Sequence, residues 1–355
     1  MKRKLSINRN SAVSYSIVIV LFIVLSIMSA SGLLGRKYSS LLVPVCCYIV
    51  AAIGLNMNVG ISGELNLGQA GFMSLGAFTA VIIAGVLNFH GITAPALVLL
   101  ICIICGTLVA GFLGWLMSIP VLKLEGDYLA IVTLAFGQII VNIINNVYLG
   151  IDGNGLHFSF VNNTIQMQPD GSMMISGPMG ATGVKTASNF TAGFLLVLIS
   201  LIVVYHIMYR RNGRAIMACR DNRIAASTVG INAVAEKTLA FVVSAALGGA
   251  AGALYGMNYS SFAATKFDFN LSILILVYVV LGGLGNMTGT IIATTLLVVL
   301  PEMLRFLSIY RMLIYAVVLI VIMIVTNNQT IRMKIKTLRK GKAGNGSGKG
   351  ASVNG

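Results

Sequence analysis

Residues Gly54–Ala80 read GLNMNVGISGELNLGQAGFMSLGAFTA, and the fold turns on how this stretch is understood. It begins and ends as apolar helix. Its middle holds Asn56, Asn58, Glu64, Asn66 and Gln69, interleaved with Gly54, Gly60, Gly63, Gly68, Gly71 and Gly76. A glycine inside a helix costs roughly 1 kcal/mol relative to alanine. Polar groups at membrane depth are costly unless they face protein or a watery cavity. The stretch therefore reads as a broken or re-entrant segment lining a path through a bilayer.

Composition sets that stretch in a membrane. The 355 residues are 57% hydrophobic and only 9% charged, with a mean hydropathy of +0.92. A soluble domain carries about 25% charged residues. Long continuous apolar runs exclude a barrel, whose strands would alternate. The fold class is an all-α polytopic membrane protein. A net charge of +15 would suggest nucleic acid in a soluble chain, but 17 of the 24 basic residues fall in three short polar segments: 2–10, 210–237 and 327–355. Loop-confined positive charge is what orientation in a membrane requires, so no nucleic-acid partner is expected.

Ten apolar runs (eight to ten spans) can be marked out: Ser16–Leu34, Leu41–Val59, Gly71–Phe89, Ala94–Ile119, Tyr128–Tyr148, Thr191–Tyr209, Thr238–Met257, Leu271–Leu284, Thr288–Phe306 and Ile309–Thr326. The first is 19 residues long. That suffices to cross roughly 30 Å of hydrocarbon, so it reads as an uncleaved span rather than a signal peptide. Only Gly285, Asn286 and Met287 separate the eighth and ninth runs, so one of them is a candidate for re-entrance.

With the N-terminal segment 1–15 in the cytoplasm, the basic segment 210–237 and the tail 327–355 share its side. The transmembrane domain is then 16–326, with 150–190 as an extracytoplasmic loop of short strands or a helix. Ten spans divide as five plus five, and an odd-numbered unit places the second half inverted. Both halves hold a glycine-rich break, Gly60–Gly76 and Gly282–Gly289 (GGLGNMTG).

Enzyme chemistry is thin. His90, His157 and His206 are scattered, and none stands at metal-ligand spacing from a partner. Of the cysteines Cys46, Cys47, Cys102, Cys105 and Cys219, the pair 102/105 forms a CxxC with aliphatic flanks and no completing ligands, so packing is the better reading. Glu125 and Asp127 read as solvated charges at a helix N-terminus. The tail string GNGSGKG lacks phosphate-loop spacing, its Ser/Thr and a preceding strand.

The segment RRNGRAIMACRDNRIAASTVGINAVAEK, Arg210–Lys237, is too long for a turn. Arg214–Thr228 has helical composition and Gly230 is a helix stop. Two readings stand level on physics: a helix–turn–helix offered to a cytoplasmic partner, or an amphipathic helix resting on anionic lipid.

Three stretches resemble the LivM-type permease subunits of branched-chain amino acid ABC importers: Gly54–Thr79, the run LEGDYLAIVTLAFGQII at Leu124–Ile140, and GRAIMACRDNRIAASTVGIN at Gly213–Asn232, the last continuing into LAFVVSAALGGAAGALYG and VVLGGLGNMTG. The resemblance implies a multi-pass cell-membrane subunit without catalytic residues, cofactor or metal. ATP and Mg would be bound by two ATP-binding partner subunits. A homologous permease and an extracytoplasmic solute-binding protein would complete the importer, and both termini would be cytoplasmic. It implies an ATPase-coupling role for Gly213, Arg214, Arg220, Asp221, Ala225, Ala226 and Gly230. Path candidates are Asn56, Asn58, Glu64, Asn66 and Gln69, against the plainer alternative of interhelical hydrogen bonds. Glu64 stands where the family usually has Gln, Gln69 where it has His, and Ile224 where the broader permease motif has Glu. Branched-chain or other neutral amino acids are the expected cargo. Urea, short amides or another small polar solute, and an ion-gradient-driven transporter or channel, are the alternatives.

Overall fold

The computed structural model describes residues 14–16, 18–22, 40–92, 94–124, 126–152, 155–160, 171–304, 310 and 313–320. The chain divides into two compact units, Met1–Val298 and Val299–Gly355. Helix α1, Leu42–Asn56, runs directly into a π-helical stretch, Met57–Ser62. Helices α2 (Gln69–Phe89), α3 (Pro95–Val121) and α4 (Asp127–Asn145) follow. Strands β1 (Val147–Asp152), β2 (Gly155–Phe160) and β3 (Ser172–Ser176) come next. Then come α5 (Phe190–Tyr209), the short α6 (Arg211–Asp221) and α7 (Arg223–Thr228), and α8 (Ala233–Gly256). Last are α9 (Phe269–Gly282) and α10 (Met287–Met303).

Among the described residues, six helices are long and apolar enough to cross a membrane: α1 with its π extension, α2, α3, α4, α5 and α8. The expected runs and these helices coincide within a few residues. The expected first span lies mostly outside the described residues and the last is described at 310 and 313–320 alone, while Glu125, the N-terminal segment before Ser14 and the whole tail 327–355 lie outside them. Helix α9 has 14 residues and α10 has 17. At 1.5 Å per residue they reach about 21 and 26 Å, less than a full hydrocarbon thickness. The turn between them, with Gly283 at φ 93° and Gly285 at φ 78°, joins the two runs of which one was expected to be re-entrant.

Burial ranks the helices. The apolar window of α1 is 94% buried within the protein and that of α8 72%, against 33% for α3 and 28% for α4. The first two form the centre, and the last two turn broad apolar faces outward to lipid. Lipid tails are as apolar as leucine, so what joins helices here is close packing and interhelical hydrogen bonding. Helix α8 supplies the packing through SAALGGAAGALYG. A Cβ on Gly76 of α2 would fall 1.9 Å from the Gly249 carbonyl oxygen, and one on Gly249 would fall 2.6 Å from that of Gly106 in α3. Three backbones thus meet where any side chain would block them. Phe72, Met117, Phe241 and Ala245 fill the space beside this crossing.

The strands form one antiparallel sheet in the order β2-β1-β3. A contact between His157 Nε2 and Asp152 Oδ1 at 2.9 Å joins β2 to β1. Val147 enters the sheet, which is why α4 stops at Asn145 and not at the expected Tyr148. Gly85, toward the C-terminal end of α2, lies against Met174 of β3, while Gly63, just before α2, lies against Arg220 of α6. The sheet and the α6–α7 hairpin therefore sit at opposite ends of α2.

A Gly249→Val substitution forces α2, α3 and α8 apart. It should destabilise the purified protein by about 1–3 kcal/mol, read as a lowered melting temperature in detergent. Gly111→Ala is the control, because its added Cβ meets Ala246 at an ordinary 3.4 Å.

Candidate functional site

Why does α1 change from α to π winding at Met57? A π stretch holds an extra residue against the α repeat and is uncommon except at functional positions. Here it ends on Gly63, whose φ of 77° is left-handed and whose N–H donates to the Asn58 carbonyl. The Glu64 N–H donates to the same oxygen at 3.2 Å. Residues 63–68 are then non-helical, and α2 restarts at Gln69. The break expected from the glycines is thus real, but it has two parts: a buried π stretch and a short loop.

The five path candidates are placed differently. Asn56 is fully buried and locks the π stretch to the α9–α10 turn: its Oδ1 accepts from the Gly285 N–H at 2.8 Å, and its Nδ2 donates to Thr290 Oγ1 at 2.8 Å. Gln69 is also buried. Its Nε2 donates to the carbonyls of Ala51 at 3.3 Å and Ser244 at 3.2 Å, and its Oε1 accepts from Ser244 Oγ at 3.3 Å. It clips α1, α2 and α8 together. Asn66 Oδ1 accepts from the Gly68 N–H at 2.8 Å and shapes the loop, while its Nδ2 is buried with no partner. Asn58 is buried with neither side-chain atom hydrogen-bonded, and Ser62 Oγ is likewise buried and unpartnered. Glu64 lies apart from these, at the end of the bundle nearest α6, in an ion pair with Lys237 of α8.

Reasoning from the sequence missed the partners. Lys237, Thr133, Ser244, Ser272 and Thr290 each complete a contact with the broken segment. Thr133 Oγ1 accepts from the Leu67 N–H at 3.1 Å, and Ser272 Oγ accepts from the Ala70 N–H at 3.1 Å, satisfying a donor at the start of α2. The available signal was the pairing rule itself: a carboxylate this close to an apolar core needs a cation, and Lys237 opens a span.

The α6–α7 hairpin begins at Arg210, whose extended backbone turns the chain out of α5. Gly213 lets it turn tightly, since a Cβ there would fall 2.3 Å from the Met208 carbonyl oxygen. Asn222 divides the helical run Arg214–Thr228 in two, as the helix–turn–helix reading has it, and caps α7, its Oδ1 accepting from the Ala225 N–H at 3.0 Å. Gly230, at φ 81°, ends the hairpin. Ala226 packs inward with Cys219 and Ala233. Burial pushes the Cys219 thiol up, so it stays protonated and acts as a small packing group. Arg214, Asp221 and Ala225 are exposed, and so are two larger apolar side chains on the hairpin, Ile224 at 77% and Val229 at 80%. Arg220 points the other way along its stem: its Nη1 donates to the Gly60 carbonyl at 2.7 Å. A cleft of about 280 Å³ lies beside it, lined in part by Glu64, Gly126, Asp221, Arg223 and Lys237. No group of three or more His, Cys, Asp or Glu residues arranged to hold a metal occurs among the described residues.

Fold and site together define a multi-pass helical membrane protein with a polar, glycine-broken interior and a protruding helical hairpin. The chain belongs to the family described as branched-chain amino acid transport system / permease component, which it matches over residues 37–325. It is 33% identical over 287 residues to the high-affinity branched-chain amino acid transport system permease protein LivM of Salmonella typhimurium, covering 78% of this chain and 66% of that protein. LivM of Escherichia coli is similar to the same degree, 33% over 293 residues with the same coverage. The permease protein LivH of Salmonella typhimurium is 26% identical over 262 residues, covering 70% of this chain and 79% of LivH. The chain spans just under two thirds, 66%, of the length of these LivM proteins. No solved structure matches it.

Asn56→Leu removes the acceptor for a buried backbone N–H. It should cost about 1–3 kcal/mol, measured by denaturant unfolding in detergent.

Proposed function

We propose that the chain is the membrane-spanning subunit of an ATP-binding-cassette importer for branched-chain or other neutral amino acids. The family match over residues 37–325 carries this reading. ATP and Mg bind in two partner ATP-binding subunits, not in this chain, which has a transport role and no catalytic residue. A homologous permease pairs with it, and an extracytoplasmic solute-binding protein delivers the amino acid. It spans the inner membrane eight to ten times, with N- and C-termini in the cytoplasm. The permease domain is 16–326, with 150–190 outside, 210–237 as the coupling segment and 327–355 as a basic cytoplasmic tail.

The α6–α7 hairpin is the coupling element, formed by Gly213, Arg214, Arg220, Asp221, Ala225, Ala226 and Gly230. Exposed Ile224, Ala225 and Val229 support this role, because apolar side chains on a protruding polar hairpin call for a partner surface. Closure of the ATP-binding subunits pushes the hairpin and switches the path between its two openings. Asn56, Asn58, Asn66 and Gln69 lie on that path in the interior, and Glu64 stands at its mouth with Lys237. The unpartnered amide of Asn58 favours it as the group that meets a polar solute. The five-plus-five inverted repeat is part of the same proposal. It is favoured by the meeting of the two glycine-rich breaks, since a Cβ on Gly60 would fall 2.3 Å from the Gly285 nitrogen.

Uptake of radiolabelled leucine into proteoliposomes should need both ATP and the ATP-binding subunits. Uptake driven by an ion gradient without them contradicts the reading, and ATP-driven uptake of urea or a short amide alone redirects the cargo. Ala225→Glu places a charge on the partner surface and Gly230→Leu strains a left-handed residue, so each should reduce uptake by about a hundredfold or more while the chain still inserts. Glu64→Gln keeps an acceptor for Lys237 and should leave uptake within about threefold of wild type; loss of uptake would instead make the carboxylate charge essential.

A further inference from the structure

We propose that Arg220 is a positioning residue. Its guanidinium holds the π-helical stretch of α1 and so connects α6 to the α9–α10 turn. The inference rests on the permease reading, because only there does α6 receive a push.

The contact is built, not incidental. The Gly60 carbonyl lies in the last turn of the Met57–Ser62 stretch, where helical carbonyls run out of intrahelical donors. Arg220 Nη1 supplies one at 2.7 Å, a charge-assisted bond. The stem of Arg220 passes over Gly63, where a Cβ would fall 2.9 Å from its Cγ. Arginine thus reaches Gly60 because position 63 has no side chain. On another side of Gly60 lies the α9–α10 turn: a Cβ on Gly60 would fall 2.3 Å from the Gly285 nitrogen and 2.1 Å from Asn56 Oδ1, the atom that accepts from that same Gly285 nitrogen. One residue therefore touches α6, its own π stretch and the hairpin of the second glycine-rich break. The Glu64–Lys237 pair ties the following loop to α8. Both its side chains are mostly buried, 12% and 14% exposed, beside the cleft that gives Arg220 room to move.

The π stretch is the element with two states. Rewinding it as α would rotate everything before the break relative to everything after it. Asn58 and Ser62, now buried without partners, are the polar side chains such a rotation would re-aim. Arg220 holds the π form, and a displaced α6 takes that hold away.

Two measurements test this. Amide exchange over residues 57–63 of the purified chain should rise by about tenfold or more in Arg220→Ala and by less in Arg220→Lys, which keeps a cationic donor on a shorter stem. In the transporter reconstituted with its ATP-binding subunits, leucine taken up per ATP hydrolysed, measured on the complex that co-purifies, should fall about tenfold or more in Arg220→Ala. Arg220→Lys should recover part of that ratio. Combining Arg220→Ala with Asn56→Leu should be no worse than the weaker single variant, since both cut one connection. Unchanged exchange, an unchanged uptake-to-ATP ratio, or multiplicative losses in the double variant would each overturn the proposal. If the wild-type assembly shows no ATP-driven uptake, the permease reading fails, and the exchange measurement still decides whether Arg220 holds the π stretch.

Discussion

Backbone meets backbone at Gly60 and Gly285, and the rest of the interior is arranged around that approach. No side chain fits between the two. The polar groups exposed by so close a meeting must be satisfied inside the protein, because a bilayer offers no water. Asn56 does this by accepting from the Gly285 N–H and donating to Thr290. The neighbouring α2–α8–α3 crossing obeys the same rule with Gly76, Gly249 and Gly106. Where hydrophobic burial cannot drive helices together, removing side chains and pairing polar ones does the work instead.

Much of the fold was legible because membrane helices announce themselves by length and hydropathy. The six long helices fall where continuous apolar runs lie, and Gly230 ends the α7 hairpin as its sequence suggests. The π stretch was not legible. Nothing in MNVGIS separates π from α winding, since both are helical, and the contacts it makes with Arg220 and Gly285 arrive from far along the chain. A helix–turn–helix was one of two readings of Arg210–Lys237, but its turn at Asn222 was not legible for a related reason: asparagine is tolerated within a helix until its side chain finds an N–H to cap.

The candidate site was legible as a list of residues and not as an arrangement. The five polar residues of Gly54–Ala80 look alike in sequence. In the structure Asn56 and Gln69 are fully engaged in holding helices together, Asn66 shapes a loop, and Glu64 sits with Lys237 at the end of the bundle. Of these five, Asn58 alone has a buried side chain with both polar atoms unpaired. Long-range partners make these distinctions, and partners such as Thr133, Ser244 and Thr290 carry no local signal of their own. Satisfied groups stabilise, whereas a buried amide left unpaired costs about 1–3 kcal/mol and marks a position that another state or a passing solute can complete.

That contrast points to one decisive measurement. In a background without native cysteines, Asn58→Cys can be probed with a membrane-impermeant thiol reagent, in proteoliposomes holding the assembled transporter. A path that opens and closes around the π stretch predicts no labelling in the resting state and labelling once the ATP-binding subunits are trapped closed. A thiol at position 58 that stays unreactive in every trapped state, while uptake proceeds, would contradict a path through this break.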